Sequence, residues 1–325
     1  MTQLLYNFFH IISTANLLQA WQEFIRGKRH KPDVQAFQFG LMDNLFQLNH
    51  ELKNHAYRHG AYKAFKINDP KPRDIHKASV RDRVLHHAIY RKLYPYFHTK
   101  FIADSFSCRI GKGTHKALNR FRAFGYQVSR NDTKQCWILK CDIRKFFASI
   151  DHQILLNILA QHIADPDILN LLREIIASFH STRLGVGLPL GNLTSQLLVN
   201  IYLNELDQFL KHELRIKHYV RYADDFVIFS RDQEYLTKLI PKISTFLQTK
   251  LKLQLHPHKV SIKTLASGVD FLGWVHFPDH RVLRKATRKR MLAKLQENGN
   301  EARKQSYLGM LGWGNGWKLV QRMRI

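Results

Sequence analysis

"RYADDFVIF", residues 221–229, sets two adjacent aspartates, Asp224 and Asp225, inside a run that otherwise has the composition of a buried strand. Like charges side by side are costly on a sheet unless something offsets them. The wider window "HYVRYADDFVIFS" (218–230) has apolar, aromatic arms around a polar centre, the pattern of a β-hairpin with the aspartates at its turn. Upstream, "CWILKCDIRKFFASI" (136–150) reads as another buried strand, ending at a carboxylate, Asp142. If the two elements are neighbours in one sheet, three carboxylates converge at its edge. Such a cluster is unfavourable without cations, and its oxygens suit Mg²⁺, which keeps water and phosphate oxygens in its other positions. Two Mg²⁺ roughly 3.5–4 Å apart would stabilise both the attacking and the leaving oxygen of a phosphoryl transfer. The competing reading is an ordinary acidic turn; the strands on both sides and the partner Asp142 argue against it.

The acidic cluster stands out because the chain is basic. Its 325 residues carry 51 Lys+Arg against 25 Asp+Glu, so the net charge is 51 − 25 = +26. A surplus of that size points to a polyanion, above all nucleic acid, ahead of a ribosomal-type structural role or a membrane surface. With 45% hydrophobic and 23% charged residues the profile is globular, not disordered, and long enough for two or three subdomains. The opening "MTQLLYNFFHIISTANLLQAW" lacks the basic start and small-residue cleavage site of a secretory signal, and no apolar run is long enough to span a bilayer. Cys108, Cys136 and Cys141 have no disulfide-framework or metal spacing and read as reduced thiols of a cytoplasmic protein. The 19 histidines lack acidic or cysteine companions at zinc spacing and are expected on the surface, some facing phosphate.

No internal repeat or low-complexity linker divides the chain. Periodicity predicts helices over 14–27, 34–53, 79–97, 152–162, 166–178 and 233–249, and a long apolar helix after the glycine-rich "STRLGVGLPLGN" (181–192). Strands are expected at "YKAFKIND", in "KLQLHPHKVSIKTL" and in "GVDFLGWVHF", and a basic helical tail over 281–325. The expected class is α+β: a central antiparallel sheet backed by helices, with basic helices before and after it.

Six ordered blocks within residues 60–280 resemble the reverse transcriptases. "YADD" (222–225) resembles the family's catalytic hairpin, "CDIRKFFASIDH" (141–152) its first palm motif and "GLPLGNLTSQLLVNIYLNELD" (187–207) its second. "SFSCRIGKGTHKAL" (105–118) resembles the fingers block, and "LKLQLHPHKVSI" (251–262) and "VDFLGW" (269–274) the later palm motifs. Within the family the likeness is greatest to the enzymes of diversity-generating retroelements, through "LGNLTSQ" (190–196). Group II intron and retroviral enzymes typically have Gln where Leu190 stands and Pro where Gln196 stands. The length also fits, since intron maturases carry further domains after the thumb.

The resemblance implies a right-hand polymerase fold: N-terminal helices and fingers over 1–135, a palm with inserted fingers elements over 136–280, and a short basic helical thumb over 281–325. It makes Asp142, Asp224 and Asp225 the catalytic metal ligands, with the Ile143 backbone carbonyl as a further one, for two Mg²⁺ with Mn²⁺ as a substitute. Phe147 matches the steric gate against a ribose 2′-OH, while either Phe146 or Phe147 is core, since strand side chains alternate. Arg73 in "PKPR" matches the fingers arginine over the incoming nucleotide, with Lys71 a second phosphate contact. Leu190, Gly191 and Gln196 belong to the nucleotide pocket, and Lys259 lies near the leaving pyrophosphate as a general acid or a phosphate contact. Gly273 belongs to the primer-grip hairpin. Arg109, Lys112, Arg281, Arg284, Lys285, Arg288, Lys289 and Arg290 are the expected nucleic-acid contacts.

The activity implied by this resemblance is that of an RNA-directed DNA polymerase, bacterial or phage-encoded, that makes cDNA from a retroelement's template-repeat RNA for mutagenic retrohoming. Leucine at 190 cannot make the hydrogen bonds of a glutamine, so errors are expected at template adenines. The expected partners are template RNA, the primer or cDNA strand and a small oligomeric accessory protein, with no membrane. The alternatives are a retron or phage-defence reverse transcriptase, or a non-catalytic RNA-binding protein on a polymerase scaffold.

Overall fold

The computed structural model describes residues 4–68 and 72–324. In chain order it begins with helices α1 (Phe8–Ile12), α2 (Thr14–Phe24), α3 (Pro32–Phe39) and α4 (Leu41–Lys53). Strands β1 (Lys63–Ile67) and β2 (Arg73–Lys77), helices α5 (Val80–Lys100) and α6 (Thr114–Val128) and strand β3 (Trp137–Asp142) come after them. Next are α7 (Phe146–Ser149), α8 (His152–Ala160), α9 (Pro166–Ala177) and α10 (Leu193–Gln208), the last continued by a π-helical turn, Phe209–Glu213. Strands β4 (Tyr219–Tyr222) and β5 (Asp225–Ser230) lead to α11 (Gln233–Leu251). Strands β6 (Ser261–Thr264), β7 (Val269–Phe271), β8 (Trp274–His276) and β9 (Arg281–Leu283) precede α12 (Lys285–Asn298), α13 (Glu301–Leu311) and α14 (Trp317–Arg324).

The chain divides into two compact units. One comprises the residues up to 102, 144–213 and 246–254. It is helical, with α5 packed against α2 and α10, and α10 against α8. Ser79 caps α5 by accepting from the Asp82 N–H, and Leu85, Ala88 and Leu93 of that helix are fully buried. The β1–β2 pair is antiparallel and largely exposed. One tie to the rest of the unit is a clip: His76 N–H donates to the Leu190 carbonyl at 3.0 Å, and Asn192 Nδ2 to the His76 carbonyl at 2.9 Å. Gly191 belongs there for a steric reason. It has φ +106°, and a Cβ on it would lie 2.9 Å from Ile75 Cγ2.

The other unit comprises 103–143, 214–245 and the residues from 255 onward. Its centre is an antiparallel sheet in the order β4-β5-β3-β6. Ile138, Val220, Val227 and Phe229 form one core with Phe121 and Phe124 of α6. Leu139, Cys141, Phe226 and Ile228 are fully buried as well, which explains why these strands read as continuous apolar runs rather than alternating ones. A second sheet, β7-β8-β9, turns at Leu272–Gly273, both with positive φ (51° and 85°), as a two-residue hairpin with this strand twist requires. Trp274, Leu283, Met291 and Leu311 make a smaller core that anchors α12 and α13.

Several expectations need correction. The helix over 34–53 is two, broken at Gly40 (φ −109°, ψ 42°). The strand expected within 252–265 is limited to β6 and one isolated bridge, Ile143 with Leu255, because Pro257 has no N–H to donate and Lys252 turns the chain at φ 49°. The tail opens with a strand, β9, before its helices. Phe146 and Phe147 lie on the short helix α7, so strand alternation does not apply to them; Lys145 at φ 46° ends the extended run. The histidines are not all on the surface, since His86, His152 and His276 are buried. Burial holds His86 neutral, pushing it down to about 3.

Candidate active site

Asp142 is the last residue of β3 and Asp225 the first of β5, and the two are register partners in the antiparallel pairing. Asp225 is flanked on its other side by Tyr222 of β4. Asp224 occupies the turn between β4 and β5, so three carboxylates sit at one end of the sheet, as the sequence predicts. The turn is tight. Ala223 has φ 53°, a region that costs a residue with a Cβ about 1–2 kcal/mol. Its carbonyl accepts from Nη1 of Arg221, at 3.3 Å, and Arg221 is itself 1% exposed. The segment before α6 braces the same hairpin: Arg221 N–H donates to the Asp104 carbonyl at 3.0 Å and Phe106 N–H to the Arg221 carbonyl at 2.9 Å. Beyond β3, Ile143 N–H donates to the Asp224 carbonyl at 3.3 Å and His256 N–H to the Asp142 carbonyl at 2.7 Å. Backbone bonds therefore fix where all three side chains start.

The electrostatics are those of a site short of positive charge. Burial, with the neighbouring Asp225 and Asp142 adding to it, raises Asp224 to about 6. Burial also raises Asp225, opposed by Lys140 and reinforced by Asp142. Lys140 Nζ is 4.0 Å from Asp225 Oδ1 and donates to the Asp270 carbonyl at 2.7 Å. Asp142 has a closer cation: Lys259 Nζ lies 2.9 and 3.0 Å from its two oxygens. Among the described residues no three His, Cys, Asp or Glu side chains close into a ready-made metal cage. The donor set nevertheless fits hard cations of the Mg²⁺ class, with three carboxylates, two of them raised by burial, and an ammonium already seated against Asp142.

Apart from Lys259, the described residues expected to hold a nucleotide belong to the helical unit. Phe146 is buried (2%) and Phe147 half-buried, its carbonyl accepting from Leu188 N–H at 2.8 Å. Leu188 leads to Leu190 and Gly191, which meet β2 through the clip at His76, and Arg73 is the exposed first residue of that strand. The fold thus draws Phe147, Leu190, Gly191 and the Arg73 strand into one stretch of hydrogen-bonded loops. Gln196 is half-buried in the first turn of α10. Lys71 lies outside the described residues.

The expected nucleic-acid contacts separate into two kinds. Lys285, Arg288 and Lys289 are exposed at helical spacing on α12 and share a face. Arg284 is half-buried and donates to Asp270 Oδ2 at 3.1 Å, and Arg290 is half-buried. Arg281 is turned inward and bonds the Trp313 carbonyl. Arg109 is 8% exposed, with Nη1 bonded to the Ser105 carbonyl and hydroxyl, and Lys112 donates to the Ala103 carbonyl at 2.7 Å. Gly273 is the second residue of the β7–β8 turn. The contributions of Lys140, Arg221 and Ala223 have no signal in the sequence beyond their adjacency to the motifs.

Comparison with known proteins agrees with this geometry. The family model described as reverse transcriptase (RNA-dependent DNA polymerase) matches residues 66–276. The chain is 26% identical over 249 residues to Protein YkfC of Escherichia coli (strain K12), covering 65% of this chain and 63% of that one. It is 25% identical over 294 residues to the group II intron-encoded protein LtrA of Lactococcus lactis subsp. cremoris, covering 69% of this chain and 47% of that one. It is 24% identical over 209 residues to the putative COX1/OXI3 intron 2 protein of Saccharomyces cerevisiae (strain ATCC 204508 / S288c), covering 45% and 24%. Each match spans less than two thirds of the relative's own length. Among the described residues no helix is long and apolar enough to cross a membrane.

Proposed function

The chain belongs to the reverse transcriptase family, and from that premise we propose that it is an RNA-directed DNA polymerase acting through Asp142, Asp224 and Asp225. The observation that carries the reading is the register pairing of Asp142 with Asp225 beside the Asp224 turn, in a protein of net charge +26. Two Mg²⁺ held by these carboxylates and the Ile143 carbonyl would supply charge stabilisation to the attacking 3′-hydroxyl and the leaving pyrophosphate. The chain's own residues do the rest. The hairpin and β3 hold the carboxylates in place, and the buried Arg221 steadies the turn. Lys259, released from Asp142, neutralises or protonates the leaving group. Arg73 packs on the incoming nucleotide, Phe147 excludes a ribose 2′-OH, and Leu190 and Gly191 line the nascent pair. The exposed stripe Lys285–Arg288–Lys289 grips the template–primer backbone in the manner of a thumb.

The finer reading is a diversity-generating retroelement enzyme with an accessory protein partner, low in fidelity at adenines. It is supported by Leu190 and Gln196 in "LGNLTSQ". Sequencing cDNA copied from a mixed RNA template tests it: errors concentrated at adenines are expected, and equal error rates at all four template bases would leave polymerisation standing but remove this assignment. Polymerisation itself is tested by primer extension on poly(rA)/oligo(dT) with Mg²⁺.

A further inference from the structure

The unit that holds the carboxylates also contains a cavity of about 200 Å³ that none of them lines. Its walls come from α6, the β8–β9 hairpin and the loop after α13, and its chemistry from Arg122, His276, Arg281 and Trp313. Two of these residues each carry a buried polar atom with nothing to satisfy it. His276 is 3% exposed; one ring nitrogen is held by the backbone of Phe271, and Nε2 is buried without a hydrogen-bond partner. Arg281 donates from Nε to the Trp313 carbonyl, while its Nη1 is buried without a partner. Arg122, exposed at the rim, adds a second guanidinium close enough to act on Arg281. The one carboxylate lining the cavity, Asp279, is engaged by His280 Nδ1 at 2.7 Å.

A buried donor or acceptor left without a partner is costly, and two on side chains that line one cavity, beside a pair of like charges, point to a ligand that satisfies both. The ring proton of the neutral His276 sits on the nitrogen that Phe271 holds, so Nε2 presents a lone pair. The ligand must therefore offer anionic oxygens to guanidinium forks and a hydrogen to an imidazole. We propose that this cavity binds a phosphate group that still carries a proton, as free phosphate or as the terminal monoester of a nucleotide chain. An internal phosphodiester has no P–OH to give His276, and neither does sulfate at neutral pH. The volume suits one phosphate with water, being below the roughly 300–1,000 Å³ that hold a drug-sized molecule. Trp313, stacked by one face on His115 at 3.8 Å and 38% exposed, stands at the same cavity as a surface for the base of a terminal nucleotide.

The test is isothermal titration of the full chain with potassium phosphate and potassium sulfate at matched ionic strength, and with a hexaribonucleotide bearing a 5′-phosphate or a 5′-hydroxyl. Phosphate should bind at least about tenfold more tightly than sulfate, and Arg122→Gln and His276→Leu should each weaken phosphate by about tenfold, the scale of one charge-assisted hydrogen bond. Arg122→Gln lies on the exposed rim, so its result stands even if His276→Leu does not fold. A 5′-phosphorylated oligonucleotide that binds more tightly than both its 5′-hydroxyl form and free phosphate identifies a nucleic-acid end as the source; equal affinity for the phosphorylated end and free phosphate identifies the free anion. Sulfate binding as tightly as phosphate, or Arg122→Gln binding phosphate like the wild type, would overturn the proposal.

Discussion

Asp142 and Asp225 face each other as register partners across β3 and β5, while Lys259 Nζ contacts both oxygens of Asp142. One carboxylate of the pair is thus held in direct contact by an ammonium of the chain, whereas the nearest ammonium to the other, that of Lys140, stands 4.0 Å away. Removing Lys259 should ease cation entry. The pair is partly exposed, so its strength is on the order of 1 kcal/mol, which corresponds to roughly fivefold in affinity. Lys259→Met is therefore expected to lower the Mg²⁺ concentration for half-maximal activity by about that factor while also lowering kcat. A Mg²⁺ titration of primer extension reads both; an unchanged Mg²⁺ midpoint would mean that Lys259 does not compete for Asp142.

Asp224 makes the site a stability cost. Its folded pKa, raised to about 6, exceeds the roughly 3.9 of an unfolded chain. The protonated form is therefore favoured by folding: this contribution is fully present below about pH 4 and is lost as pH rises through about 6. At pH 7 without divalent cation, Asp224→Asn should stabilise the protein by about 1–3 kcal/mol, allowing for partial solvent screening. Urea unfolding in EDTA measures this. Added Mg²⁺ should stabilise the wild type and leave the variant unchanged.

The turn offers a separate handle. Ala223 at φ 53° is tolerated because its side chain is small, and a β-branched residue there is strained further. Ala223→Val should cost more than about 1 kcal/mol in unfolding free energy and reduce polymerisation, whereas Ala223→Gly should unfold no more easily than the wild type. Thermal melts and primer extension of the two variants check this.

Leu190→Gln restores a hydrogen-bonding side chain beside Gly191. Errors at template adenines should fall severalfold, with little change at the other three bases, as read by sequencing cDNA from wild type and variant on one template. An unchanged error spectrum would assign Leu190 to packing alone.

Much of this architecture is legible in the sequence, for identifiable reasons. The β4–β5 hairpin, β3 and the long helices follow from apolar runs bounded by polar turns, and the convergence of the three aspartates follows from their positions at strand ends. The pairing of Lys259 with Asp142 is not legible, because it joins residues 117 apart through a turn with no pattern of its own. The buried Arg221 is hidden for a similar reason: a charged residue in a strand reads as an exposed position until the braces from Asp104 and Phe106 are seen. The buried histidines read as surface residues because an imidazole kept neutral by burial leaves no trace in composition. Arg281 and Arg109 read as strand-gripping cations on charge alone, whereas both turn inward.

Whether Asp142, Asp224 and Asp225 make this chain a polymerase on RNA is decided by primer extension on poly(rA)/oligo(dT) with dTTP and Mg²⁺, comparing the wild type with Asp224→Ala. Extended DNA products are expected from the wild type and none from a variant that remains folded. Equal product from both, or none from a folded wild type with Mg²⁺ or Mn²⁺ present, would contradict the polymerase assignment.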